Sequence, residues 1–301
     1  MAVITPALLT SLRTGFSKTF QDALTDTPTD YASVATVVPS SNASNTYGWL
    51  NQFPGLREWT GDRVLKDMAA QAYQVQNKLF EGTVAVKRTD VEDDNVGIYT
   101  PMFAEAARAA RAHADSLVFG LLKAGSASLC FDGQNFFDTD HPIYPNVDGT
   151  GTAVATSNVD AGTDPAWYLL DASRALKPLI FQERTQPELE AMTAVQDEGV
   201  FMSDLYRYGI RYRCNAGFGF WQMARKSQLP LTAANFNAAM AAMMSLTADG
   251  GRPLGIKPTT LVVPPTLRAA ALGLIETQLI NGGETNPNFK AVEVIVTPWV
   301  I

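Results

Sequence analysis

The chain has 301 residues, of which 30 are acidic and 23 basic, so its formal net charge is −7 when both histidines are neutral. Apolar residues make up 46% of it and charged residues 18%, which excludes a predominantly disordered chain because so much apolar surface must be buried. The acidic balance excludes a strongly basic nucleic-acid binder, and two cysteines and two histidines leave no disulfide framework and little room for zinc chemistry.

No targeting or membrane segment is expected. The first residues lack the basic region and long apolar run of a signal peptide. The uncharged stretch 227–248 is long enough to cross a membrane, but it contains Pro230 and two asparagines, which favours a buried helix because polar groups are costly in lipid. We expect a soluble protein made in the cytoplasm with reduced thiols.

The N-terminal segment predicts a helix followed by an extended arm. Thr5 followed by Pro6 is a typical helix start. Apolar residues then recur at three- and four-residue spacing and form one stripe: Leu9, Leu12, Phe16 and Phe20. Proline, serine and asparagine make the stretch 25–44 extended. An isolated helix of this length is marginal in water, so the stripe must dock on another surface.

The next segment predicts an excursion from the core. Residues 47–63 are dense in glycine, proline and tryptophan. Apolar residues between 73 and 86 fit two extended pieces with a bend or bulge at Glu81-Gly82. A lone hairpin is only marginally stable in water, so we expect the excursion to lean on another part of the chain or on another subunit.

A long helix is predicted over 101–124. Thr100-Pro101 repeats the signal of a hydroxyl cap followed by proline, and Gly125 supplies the stop. The apolar seam between them is mostly alanine in its first half, which lets another backbone approach closely.

The rest of the chain predicts a mixture of strands and helices. Between Tyr206 and Cys214, aromatic and apolar residues alternate with arginines, which predicts a strand with one buried face. The other expected elements are a loop-rich stretch at 130–159, helices at 167–176, 232–246 and 265–280, and strands at 179–182, 260–263 and 292–296. The mixture indicates an α+β fold.

One cluster has the spacing of metal ligands. Asp138, Asp140 and His141 lie close in sequence, with Asp132 nearby. No second histidine is close and turn residues surround the cluster, so a structural turn is favoured. A metal-dependent hydrolase using Asp138, Asp140 and His141 remains an alternative.

A DNA-organising protein is a second alternative. It would use the strand Tyr206–Arg213, since aromatic rings stack on bases and arginines meet phosphates. The period-two alternation places the two residue types on opposite faces, which favours an ordinary half-buried strand. The acidic run 90–94 fails the EF-hand pattern and favours a solvated turn.

The remaining reactive residues favour structural roles. His113 lies beside the apolar seam of the long helix, and Cys130 and Cys214 are expected to be small buried residues. The chain has no phosphate-binding glycine loop and no hydrolase nucleophile motif. We expect no enzyme activity, no catalytic residues, and no cofactor or metal site.

Blocks of sequence along nearly the whole chain carry a more specific resemblance. In chain order they are Tyr47-Gly-Trp-Leu50, Pro54-Gly-Leu-Arg-Glu-Trp59, Asn77-Lys-Leu-Phe-Glu-Gly-Thr83, Glu92-Asp-Asp-Asn95, Gly97-Ile-Tyr-Thr-Pro101, Phe131-Asp-Gly-Gln-Asn-Phe-Phe137, His141-Pro142, Tyr144-Pro-Asn-Val-Asp-Gly-Thr150, Tyr168-Leu-Leu-Asp171, Lys177-Pro-Leu-Ile-Phe-Gln182, Gly217-Phe-Gly-Phe-Trp-Gln222 and Leu261-Val-Val-Pro264. In this order they resemble the major head subunit of Mu-like bacteriophages.

The resemblance implies a fold similar to the HK97-like phage capsid fold, which is α+β. The segments it implies are an N-terminal arm at 1–46, an extended loop at 47–82, a peripheral domain at 83–130 with a spine helix at 101–124, a loop-rich connection at 131–164, further peripheral-domain strands at 165–226 and an axial domain at 227–301.

The resemblance also implies a function in the virion. The subunit would assemble in the host cytoplasm into pentamers and hexamers of an icosahedral shell that encloses double-stranded DNA without binding it sequence-specifically, with no membrane partner. A separate scaffold, a head-maturation protease, a portal and a decoration protein are the further partners implied.

Contacts between subunits are expected along the arm and the loop. In this interpretation the first helix buries its stripe on a neighbouring copy, and the extended loop lies on another. The candidate contact residues are Leu9, Leu12, Phe16, Phe20, Trp49, Phe53, Arg57, Glu58, Trp59 and Arg63.

Overall fold

A computed structural model describes residues 4–51, 73–194, 196–280 and 282–301. The helices are α1 (Pro6–Asp26), α2 (Tyr31–Val34), α3 (Arg88–Glu92), α4 (Thr100–Lys123), α5 (Glu198–Ser203), α6 (Ala233–Met244) and α7 (Arg268–Ile275). Short 3-10 turns occupy Gly48–Asn51, Val96–Tyr99, Ala124–Ala127, Trp221–Met223, Asp249–Gly251, Pro265–Leu267 and Pro298–Val300.

The strands form two main sheets and three ribbons. They are β1 (Ala35–Pro39), β2 (Ser44–Tyr47), β3 (Tyr73–Gln76), β4 (Lys78–Lys87), β5 (His141–Ile143), β6 (Val154–Thr156), β7 (Val159–Asp160), β8 (Trp167–Leu170), β9 (Leu179–Met192), β10 (Leu205–Phe218), β11 (Ala224–Ser227), β12 (Thr260–Val263), β13 (Leu279–Ile280), β14 (Glu284–Thr285) and β15 (Glu293–Val296). The first sheet has the order β1-β9-β10-β4 and the second β15-β12-β8-β11-β7, while β2-β3, β5-β6 and β13-β14 pair separately. This mixture confirms the α+β prediction.

Helix α1 docks on its own chain. The Thr5 side chain accepts a hydrogen bond from the Leu8 amide at 3.1 Å, as the cap signal predicts. Phe16 stacks on Phe103 of α4 with ring centroids 4.2 Å apart and meets Tyr208 of β10 edge-on at 5.4 Å.

The stripe of α1 is therefore used inside the subunit. Leu9, Phe16 and Phe20 are buried and Leu12 is partly buried. The expectation that these four residues dock on a neighbouring copy is corrected, because α4 and the first sheet of the same chain already cover the stripe.

Helix α4 runs across the first sheet, at the position predicted for the spine. Its buried face includes Ala107 and Ala114, whose small side chains let neighbouring backbone approach. The Asp115 carboxylate accepts hydrogen bonds from the amides of Asp30 at 3.0 Å and Tyr31 at 2.7 Å. These two bonds fix the chain where it turns from α1 into α2 and β1.

The first sheet confirms the alternation and corrects its details. On β10 the side chains of Tyr206, Tyr208 and Tyr212 are buried, while Arg207 and Arg211 are exposed. Strand β4 pairs with β10 without interruption through Glu81-Gly82, so the bend predicted there is wrong. Strand β10 pairs with β4 along its whole length, from Lys78 to Lys87.

The second sheet contradicts the predicted helix at 167–176. Residues Trp167–Leu170 form β8, which lies between β12 and β11 in the middle of the sheet. All four side chains are buried, so both faces of this strand are covered. Four consecutive apolar residues fit a strand covered on both faces as well as they fit a buried helix turn.

The second sheet contains strands from both sides of residue 227, where the axial domain was predicted to begin. Strands β7, β8 and β11, which precede residue 228, lie in the same sheet as β12 and β15 near the C-terminus, and β8 pairs directly with β12. The second sheet is thus assembled from both sides of the long β9-β10 hairpin. The last predicted helix is shorter than expected, since α7 ends at Ile275. Among the described residues, no helix combines the length and the hydropathy that crossing a bilayer requires.

Candidate assembly surface

The β2-β3 ribbon leads into the segment predicted as the extended loop. Ser44 pairs with Gln76 and Tyr47 with Tyr73, so the chain leaves and returns at one place. Residue Trp49 lies in the 3-10 turn that follows β2, and its side chain lies outside the described residues. Five candidate contact residues fall in the segment 52–72, which is also outside the described residues: Phe53, Arg57, Glu58, Trp59 and Arg63.

A buried amide fixes the base of this ribbon. The Gln182 side chain on β9 is fully buried. Its Nε2 donates to Asn77 Oδ1 at 2.8 Å and to the Val75 carbonyl at 3.2 Å, and its Oε1 accepts from the Tyr47 hydroxyl at 2.8 Å. Buried polar groups need such partners, and this set joins both strands of the ribbon and the residue after it to the first sheet.

Two further contacts tighten the same joint. The Tyr73 hydroxyl accepts a hydrogen bond from the Phe218 amide at 3.0 Å, and burial raises the pKa of this tyrosine. A Cβ atom placed on Gly217 would lie 2.4 Å from a methyl carbon of Val75, so glycine is needed for the close approach. These contacts hold the base of the β2-β3 ribbon against the end of β10.

The far end of the β9-β10 hairpin is also rigidly built. The Asp197 carboxylate accepts a hydrogen bond from the Ala194 amide at 2.9 Å just before α5. Asp204 ends α5 in the left-handed conformation, and its carbonyl accepts from the Arg88 amide at 3.2 Å. The Val200 side chain is buried in the core.

This rigid tip presents two large apolar side chains to solvent. Phe201 is 83% exposed and Met202 is 74% exposed. Consecutive exposed apolar residues on a helix fixed at both ends are typical of a contact surface. Sequence reasoning missed them, although an apolar pair between Asp197 and Asp204 was a visible signal.

The aromatic strand is not arranged for stacking on bases. Tyr206 and Tyr208 point into the core formed with α1 and α4, and burial raises the pKa of Tyr208 to about 12. Because Arg207 and Arg211 are exposed while these tyrosines are buried, this arrangement gives no support to the DNA-organising alternative. In the acidic run, Asp93 and Asp94 are exposed, as a solvated turn predicts.

The residues of the hydrolase alternative are divided between two hydrogen-bond networks. The Asp138 carboxylate accepts from the Asn135 side chain at 3.2 Å and from the Thr139 amide at 2.8 Å. Burial opposes the shift, but these hydrogen bonds hold the pKa of Asp138 below its ordinary value. His141 instead meets Asp132, with Nδ1 2.7 Å from Oδ2.

A buried cluster forms around this second contact. The Cys130 thiol lies 3.0 Å from Asp132 Oδ1, and burial raises the pKa of that thiol. The His141 ring has no exposed surface and lies flat on the Trp221 indole, with centroids 3.9 Å apart and planes 8° from parallel. Sequence reasoning placed Asp132 near His141 but did not include Cys130, eleven residues before the histidine.

Comparisons with known proteins identify the family of the chain. Residues 9–300 match the family described as Mu-like prophage major head subunit gpT. The chain is 50% identical over 286 residues to the major capsid protein of Escherichia phage Mu, covering 94% of each chain. It is 49% identical over 283 residues to the Mu-like prophage FluMu major head subunit of Haemophilus influenzae, covering 93% of this chain and 92% of the relative.

Solved structures agree with the sequence relatives. The procapsid of bacteriophage JBD30 matches with a TM-score of 0.87 and 61% identity, covering 98% of this chain and 100% of that one. The JBD30 capsid matches with a TM-score of 0.76 and 47% identity over all of both chains. The JBD30 capsid decorated with minor capsid protein trimers also gives a TM-score of 0.76, with 44% identity over all of both chains.

Proposed function

The chain belongs to the family of the Mu-like prophage major head subunit, and on that premise we propose how its surfaces build the head. It is a major capsid protein of a Mu-like phage, with an α+β, HK97-like fold, and copies of it form the head shell of the virion. Its relatives are structural capsid proteins, so the hydrolase and DNA-organising alternatives are not supported.

Two elements of the subunit carry the contacts between copies. One is the extended loop, which leaves the ribbon base at Tyr47 and returns at Tyr73, with Trp49, Phe53, Arg57, Glu58, Trp59 and Arg63 as its candidate contact residues. The other is the tip of the β9-β10 hairpin. The observation that carries this proposal is the exposure of Phe201 and Met202 on a helix fixed at both ends.

The division into units follows the two sheets. The peripheral domain comprises the first sheet with α1 and α4, and the axial domain comprises the second sheet with α6 and α7. The extended loop spans the segment between β2 and β3. In this arrangement copies meet as pentamers and hexamers through their axial domains.

Further partners act at defined stages. A separate scaffold, a head-maturation protease and a portal take part in assembly, and packaged DNA is enclosed without specific binding. The JBD30 capsid carries minor capsid protein trimers, which supports a decoration protein here.

Electron microscopy of expressed protein tests the contact role of α5. The double variant Phe201→Ser, Met202→Ser removes the apolar surface, so we expect loss of closed shells with little change in subunit stability. The matched control Phe201→Leu, Met202→Leu keeps that surface apolar and is expected to assemble. Normal shells from the serine variant would contradict the proposed contact.

A further inference from the structure

The cluster around Asp132 combines three kinds of metal-binding atom in one buried place. The Cys130 sulfur, a carboxylate oxygen of Asp132 and a ring nitrogen of His141 all lie within 4.8 Å of one another. In tetrahedral zinc sites, donors with bond lengths near 2.0–2.3 Å stand about 3.4 Å apart. The Asp132 carboxylate lies 2.7 Å from His141 Nδ1 and 3.0 Å from the Cys130 sulfur. These atoms need to move apart by only about an ångström to reach the tetrahedral spacing.

We infer that Cys130, Asp132 and His141 form a closed structural site for a thiophilic divalent cation such as Zn²⁺. Thiolate, imidazole and carboxylate are the donors that this ion takes in proteins. The Asn135 carbonyl oxygen lies 4.0 Å from the Cys130 sulfur, and we assign it as the fourth ligand of the proposed site. The Asp132 side chain retains 10% of its exposure and offers the route of entry.

Charge supports occupation of this site. Binding breaks the S–H bond of Cys130 and releases that proton to solvent. In the bound state neutral His141 carries its proton on Nε2, so the Nδ1 lone pair is free to bind the ion. One thiolate and one carboxylate then neutralise the two positive charges of the ion. A neutral centre avoids the cost of an uncompensated buried charge.

The surrounding structure indicates a structural rather than catalytic role. Among the described residues, the buried Nε2 of His141 has no hydrogen-bond partner, and the Trp221 indole covers one face of the ring. Trp221 lies in the connection between β10 of the first sheet and β11 of the second. An ion on His141 would therefore fix the loop 130–141 against the junction of the two sheets.

Cobalt is the probe that tests this inference, because a thiolate ligand gives Co²⁺ a charge-transfer absorption band. We expect this band to increase until one Co²⁺ ion is bound per chain of the purified protein. The band should disappear when Zn²⁺ is added, and one proton should be released for each ion bound. The variant Cys130→Ser should lack the band. The matched control Cys214→Ser, which changes another free buried cysteine, should keep it.

A second variant keeps the test decisive if Cys130→Ser does not fold. Asp132→Asn keeps the size of the side chain but removes its charge. Loss of a group that only hydrogen-bonds to a metal ligand weakens metal affinity roughly 10–100-fold, so loss of the charged ligand itself should weaken zinc affinity by at least that factor. Absence of the band in the wild-type protein would overturn the site. So would an unchanged band in Cys130→Ser, or unchanged zinc affinity in Asp132→Asn.

Discussion

The Tyr47 hydroxyl donates a hydrogen bond to Gln182 Oε1 at 2.8 Å, in a place that solvent does not reach. This bond joins the end of β2 to the first sheet, at the point where the chain enters the segment that we propose as the extended loop. An assembly element that reaches a neighbouring subunit needs a fixed base, since a loose one would lose more conformational entropy on docking. The buried amide supplies that base.

Removing this amide should destabilise the subunit. Gln182→Leu deletes its three hydrogen bonds and leaves Asn77 Oδ1 buried without its donor. We expect a loss of about 1–3 kcal/mol in the free energy of unfolding, measured by urea denaturation. Gln186→Leu on the exposed face of the same strand is the control, and an equal effect in both variants would show that the network contributes nothing.

Replacement by alanine should lower the free energy of unfolding far more at the buried Phe20 than at the exposed Phe201. Phe20 is fully buried in contact with Ala107 and Ile210, so Phe20→Ala should cost about 3–5 kcal/mol. Phe201→Ala changes an 83% exposed side chain and should stay within about 0.5 kcal/mol of wild type. Thermal unfolding of the unassembled subunits measures both, and a small effect at Phe20 would contradict the intramolecular docking of α1.

Two glycines should respond to alanine with opposite signs. A Cβ atom on Gly219 would lie 2.5 Å from the Lys177 carbonyl oxygen, a backbone atom that cannot move freely, so Gly219→Ala should destabilise by roughly 1–3 kcal/mol. Gly120 lies in α4 with open space around it, so Gly120→Ala should stabilise by roughly 0.5–1 kcal/mol. Chemical denaturation of both variants checks the pair, and effects of equal sign would refute it.

Stability should depend on pH through His113. Burial lowers the pKa of this histidine, whose ring centroid lies 4.1 Å from that of Phe80. The contribution of neutral His113 to the free energy of unfolding is therefore fully present above the pKa of about 6.5 that histidine has in the unfolded chain. This contribution is lost as the pH falls through the lower pKa of the folded state. His113→Gln removes this dependence.

The measurement is the free energy of unfolding of both proteins across this pH range. The advantage of wild type over His113→Gln should shrink on acidification, with a slope no steeper than about 1.4 kcal/mol per pH unit. Parallel curves for the two proteins would show that His113 titrates alike in both states.

Several local elements and the family could be predicted from the residues alone. The cap at Thr5, the spine helix and the alternation on β10 depend on neighbours within a few residues, so spacing alone predicts them. The ordered blocks from Tyr47 to Pro264 resembled Mu-like head subunits, and the comparisons confirm that family.

The contacts between distant segments could not be predicted from the sequence. Periodicity showed that the α1 stripe must be buried, but not that α4 of the same chain buries it. It could not distinguish a helix from a central strand at Trp167–Leu170, because a strand covered on both faces loses its alternation. Nor could it bring Cys130 to His141, or Gln182 to Tyr47, since such contacts depend on how whole sheets pack and not on the spacing of neighbours along the chain.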